Sequence, residues 1–148
     1  MSDTSFETPA SAYAALLLRL ALGVMTLSHG LMKVFVFTPA GTVAFFESLG
    51  LPGFTAYLVM FAEVAGGLAL ILGLHVRLAS VLLLPTLIGA ALAHSGNGWV
   101  FSAQGGGWEF PAFWTISLLV QALLGKGAFA VPVDLLAMVG IGTRSEAA

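Results

Sequence analysis

A chain of 148 residues that is 59% hydrophobic and 8% charged, with a net charge of −2 and a mean hydropathy of +1.02, cannot clothe a soluble domain in polar groups. The composition assigns it to a membrane. The absence of cysteine excludes disulfides, thiolate nucleophiles, iron–sulfur clusters and Cys-bound zinc, and no basic patch suits a nucleic acid.

In chain order, Met1 to Ser11 carry Asp3 and Glu7 but no Lys or Arg, the wrong charge for the n-region of a signal peptide. Residues 1–11 therefore read as a flexible acidic arm, and the first apolar span, Ala12 to Met32, as retained. The following connection holds Pro39, Gly41, Gly50 and the turn-like Leu51-Pro52-Gly53, and within it Phe45, Phe46 and Leu49 predict a short helix lying on the membrane surface. The second span covers Phe54 to Leu74, the third Leu78 to His94 and the fourth Glu109 to Gly125. At about 20 residues for roughly 30 Å of hydrocarbon, four crossings consume most of the chain. Backbone groups in lipid must be satisfied within each segment, so the spans are helices. The expected fold is all-α: one four-transmembrane-helix bundle over 12–135, with 136–148 as a C-terminal tail. Arg77 in the tight second connection and Lys126 and Arg144 near the end, against Lys33 alone on the other side, put both termini in the cytoplasm and 34–53 and 95–108 outside. Trp99, Trp108 and Trp114 fall near the outer boundary, as in an aromatic belt.

Within the first span, Arg19, Gly23, Thr26, Gly30 and Lys33 lie on one helical stripe with His29 at its flank, and that stripe must face protein. Gly66, Gly67 and Gly73 on the second span offer the matching close approach. Counting about 1.5 Å per residue from the cytoplasmic ends puts Arg19 roughly 10 Å deep and Glu63 roughly 16 Å deep. A guanidinium stem bridges that gap, so the two are expected to form an ion pair, either as a structural neutralisation or with Glu63 as a proton-handling or ligand-anchoring carboxylate. The same count puts His29, His94 and Glu109, from three different spans, near one level about 25 Å in. With Lys33 just above and the glycine-rich stretch Gly105-Gly106-Gly107-Trp108 beside them, they predict a polar pocket in the outer leaflet. Ionisable groups in spans mark functional sites. A metal is not expected, because no two of His29, His94, Glu63 and Glu109 sit at i, i+3 or i, i+4 on one helix. Phosphate loops, nucleophile elbows and zincin motifs are missing from the sequence.

The run Arg19-Leu20-Ala21-Leu22-Gly23, then His29-Gly30 and Lys33, Gly50-Leu51-Pro52, Glu63-Val64-Ala65-Gly66-Gly67 and Leu72-Gly73 resembles the DoxX family of four-helix membrane proteins. His94, Gly106-Gly107-Trp108-Glu109-Phe110-Pro111 and Gly125-Lys126-Gly127 through Asp134 extend the resemblance from about Leu17 to Leu135, with Lys126 where the family usually has proline. It implies a multi-pass protein of a bacterial-type cytoplasmic membrane, in a family whose named members include a subunit of a thiosulfate:quinone oxidoreductase and membrane partners of redox-stress enzymes. The expected function is a membrane component of a quinone-linked redox system. His29, His94, Lys33 and Trp108 would bind the quinone, Glu63 and Glu109 would exchange protons, and electrons would come from another membrane subunit or a soluble donor. A second copy of the chain is the other expected partner. Two readings compete: a small-solute carrier or channel, and a membrane scaffold for another protein.

Overall fold

The computed structural model describes residues 9–131, and every regular element among them is helical. Helix α1 spans Pro9–Phe35, α2 Thr38–Ser48, α3 Phe54–Leu72, α4 Val76–His94 and α5 Glu109–Leu124, with a turn of 3-10 helix at Ser95–Asn97 after α4. Helix α1 begins at Pro9, three residues before the expected span; most of the predicted acidic arm, the C-terminal tail and Asp134 lie outside the described residues.

Local chemistry punctuates these elements. Thr38, at φ 62 ahead of Pro39, opens α2, and its Oγ1 accepts the Gly41 N–H at 3.3 Å. Pro39 sits in the first turn of α2, where no backbone donor is needed. Gly73, at φ 77, ends α3 in a Schellman motif: its N–H donates to Leu70 O at 3.2 Å and that of Leu74 to Ala69 O at 2.8 Å.

Three helices are long and apolar enough to cross a bilayer: α1, α3 and α4 with its 3-10 extension. Helix α5 is apolar but has 16 residues, about 24 Å of rise against roughly 30 Å of hydrocarbon. The exterior of the bundle is unlike that of a soluble protein. Only 28% of each long span is buried, and the outward positions are apolar, Leu17, Phe61 and Leu123 among the most exposed. Buried positions include Arg19, Thr26, Glu63, Ser80 and Gln121. An apolar exterior of this extent is stable against lipid and not against water, so this is a multi-pass membrane protein.

The α1–α3 seam carries the predicted stripe: Arg19, Gly23, Thr26 and Gly30 are all buried. A Cβ on Gly67 would lie 2.6 Å from the backbone nitrogen of Leu27, one on Gly23 3.0 Å from Gly67 O, and one on Gly30 3.0 Å from Glu63 Cβ. The two antiparallel backbones thus touch through glycine, and Glu63 is locked level with Gly30. The second half of the core is aliphatic, with Val76, Ala79, Leu83 and Leu87 of α4 packed on Trp114 and Leu118 of α5 and reaching Leu22 and Leu70 across the seam.

Both described ends of the chain meet at one end of the bundle. Ala128 N–H donates to Ala12 O at 3.1 Å, and Val131 N–H to Leu72 O at 3.0 Å. The opposite end holds α2, the loop after α4 and an open cavity.

Candidate functional site: a polar-tipped apolar cavity

A cavity of about 490 Å³ opens between all five helices and the loop after α4, with a mostly apolar wall. Phe45, Phe46 and Leu49 form one side: the predicted short helix exists, as α2, and faces this space. Pro85 and Gly89 hollow the α4 side, where a Cβ on Gly89 would meet nothing within 4 Å. Four of the ionisable residues expected at the site, His29, Lys33, Glu63 and His94, line the cavity.

Their geometry is specific. His29, on α1, directs Nδ1 at the carbonyl of Met25 one turn back, at 2.9 Å. His94, at the end of α4, directs Nδ1 at the carbonyls of both Gly105 and Gly106, each at 3.0 Å. Those carbonyls turn toward it because Gly105 and Gly106 hold φ 83 and 79, the left-handed region where side chains are strained, and Asn97 Nδ2 donates to the same two oxygens. Lys33 Nζ donates to both oxygens of Glu63, at 2.8 and 2.7 Å, and the pair is largely shielded. Lys33 stands in the last turn of α1, where a cation complements the helix dipole. Its carbonyl accepts the Thr42 hydroxyl at 3.1 Å, which ties α2 to α1 at the cavity rim.

The expected Arg19–Glu63 ion pair does not form: Lys33 is the partner of Glu63. Arg19 lies eleven residues from Gly30, the level of Glu63, which is about 16 Å along the α1 axis. Its guanidinium instead lies against Gly73 at the opposite end of the bundle, fully buried, and donates from Nη2 to Ala128 O at 3.1 Å. The depth count placed Arg19 and Glu63 too close because α1 extends beyond the end of α3, so equal distances from the two helix ends are not equal heights.

Glu109 and Trp108 are near the cavity but do not line it. Glu109 opens α5 and its Oε1 accepts the Phe101 N–H at 2.8 Å, which braces the loop across the mouth. Trp108 packs edge-on against Trp99, with centroids 4.4 Å apart. The tryptophan of the cavity is Trp114, which meets His29 edge-on at 4.9 Å and whose buried indole nitrogen has no partner among the described residues. Its position was recoverable from the sequence: Pro111, Trp114, Leu118 and Gln121 recur at helical spacing on the buried face of α5.

Comparisons with known proteins agree with this architecture. The DoxX family model matches residues 14–96, which covers α1 to the 3-10 turn. The Bacillus subtilis (strain 168) protein named "Putative oxidoreductase CatD" is 43% identical over 77 residues, 52% of this chain and 56% of that protein. The "Inner membrane protein YqjF" of Escherichia coli (strain K12) is 31% identical over 119 residues, 78% of this chain and 87% of that one. No solved structure matches the chain. The chain belongs to the DoxX family.

Proposed function

We propose that this DoxX-family protein is the membrane component of a quinone-linked redox system, with the cavity as the seat of the quinone head group. One observation carries the reading. Two histidines from different helices, each anchored through Nδ1 to a backbone carbonyl, flank one apolar cavity that also holds a carboxylate–ammonium pair. A quinone is suited to such a space, being lipid-soluble, flat, and in need of hydrogen-bond and proton partners at its oxygens. The two imidazoles face those oxygens, Glu63 exchanges protons with Lys33 as its counter-ion, and Glu109 holds the loop that closes the mouth. Electrons enter from another membrane subunit or a soluble donor. The oxidoreductase name of one relative and the inner-membrane name of another support the assignment.

In this reading α5 is the fourth crossing. It runs from the loop at the cavity end to Gly125 beside Arg77 at the other, traversing the same thickness as its neighbours despite its length. The end bearing Arg77 and Lys126 faces the cytoplasm of a bacterial cell, and the cavity opens in the outer leaflet.

The test is quenching of tryptophan fluorescence by a short-chain benzoquinone in detergent. Trp114 in the wall predicts saturable quenching, with an affinity shifted by at least about 1 kcal/mol, the size of one hydrogen bond, in His29→Phe and in His94→Phe. Non-saturable quenching, unchanged in both variants, rejects the assignment.

A further inference from the structure

The hydrogen-bonding pattern of the cavity discriminates between the oxidation states of a quinone. A carbonyl oxygen only accepts, so the contacts of His29 Nδ1 with Met25 O and of His94 Nδ1 with Gly105 O and Gly106 O require the proton of each neutral ring to sit on Nδ1. Nε2 of each ring is then a lone-pair acceptor. Trp114, whose ring touches His29, has its Nε1 enclosed, with almost no surface toward the cavity. Two of the three N–H donors of Lys33 are taken up by the oxygens of Glu63.

The cavity therefore presents two acceptors, on His29 and His94. The oxygen of an oxidised quinone has only lone pairs and would meet imidazole lone pairs head-on. A phenolic hydroxyl donates, and one such group satisfies each imidazole. We propose, on the reading that the cavity holds a quinone, that it selects the reduced, dihydroxylated form. One ring hydroxyl donates to His29 Nε2 and the second to His94 Nε2.

The experiment compares three ligands of one ring size on the full chain in detergent, by calorimetry against protein-free micelles: a short-chain benzoquinone, its hydroquinone under anaerobic dithionite, and the dimethyl ether of that hydroquinone. A cysteine-free chain presents no disulfide or thiol to the reductant. The hydroquinone is expected to bind at least about tenfold more tightly than the quinone, and the ether, whose oxygens cannot donate, no better than the quinone. A tenfold preference raises the midpoint potential of the bound two-electron couple by about 30 mV, a second and independent readout. His29→Phe keeps an aromatic ring and removes the acceptor, and should reduce the preference to less than about threefold. An unchanged ratio with both affinities lowered equally would make His29 a packing residue and overturn its assigned role. Equal or tighter binding of the quinone, or an ether that binds like the hydroquinone, overturns the selectivity while the quinone site stands. No saturable binding of any of the three removes the site itself and the selectivity with it.

Discussion

The two ends of the bundle use buried cations in opposite ways. At one end Lys33 meets a carboxylate in a bidentate pair on the wall of an open cavity. At the other, Arg19 is enclosed, and among the described residues its one hydrogen-bond partner is a carbonyl, with none for Nε and Nη1. Both are basic residues on the same stripe of α1, fourteen positions apart, and nothing in their residue type separates the roles. The difference is space. Where the helices splay around α2 and the glycine-rich loop, polar groups face a volume that a ligand can enter; where Gly73 and residues 128–131 close over α1, they face only protein. A charge within a span is therefore an incomplete marker of a ligand site, and a charge beside a cavity is a better one.

The largest expected effect tests that contrast directly. Lys33→Met or Glu63→Gln strands its partner's charge and should cost up to about 3 kcal/mol of stability in mild detergent, at the lower edge of the range for buried pairs because the Lys33 side chain keeps 20% exposure. The double variant should recover at least about 1 kcal/mol of the summed loss. Arg19→Met combined with Glu63→Gln should instead be additive within about 0.5 kcal/mol, since the two sites share no partner. Thermal unfolding of the five variants decides it, and strong coupling between Arg19 and Glu63 would erase the distinction between the two ends.

A pair of glycines sharpens the comparison at the next level. Gly67→Ala drives a Cβ to within 2.6 Å of the Leu27 backbone, which cannot rotate aside, and should lower stability by about 2–3 kcal/mol. Gly89→Leu enters open space on the cavity wall, so folding should be retained while quinone quenching is lost. Melting temperature and quenching titration, measured on both, should move in opposite columns; loss of both properties in Gly89→Leu would mean that the cavity is not free volume. The smallest effect is expected at Glu109→Gln, because the amide oxygen can still accept the Phe101 N–H and the residue does not line the cavity. Quinone affinity should change by about 0.5 kcal/mol, and a tenfold loss would restore Glu109 to a direct role.

What the sequence determined by itself was what local pattern encodes. Hydropathy located the three long spans and the apolar segment that became α5. The period of the α1 stripe showed which face meets protein, and Phe45, Phe46 and Leu49 announced α2. Rise per residue was enough to bring His29 and His94 to one level, because each lies near the end of its own helix and the loops joining those ends are at the same face of the bundle. Tertiary structure alone decided who meets whom. The register of α1 on α3, set where Gly23, Gly30 and Gly67 let the backbones touch, put Lys33 and not Arg19 opposite Glu63. The packing of α5 on α4 turned Trp114 inward and left Trp108 against Trp99, while the fold of the loop turned Glu109 into a brace. A sequence carries an axial coordinate for each helical residue, but the sliding offset between two helices and the rotation of each about its axis are settled only by the contacts between them.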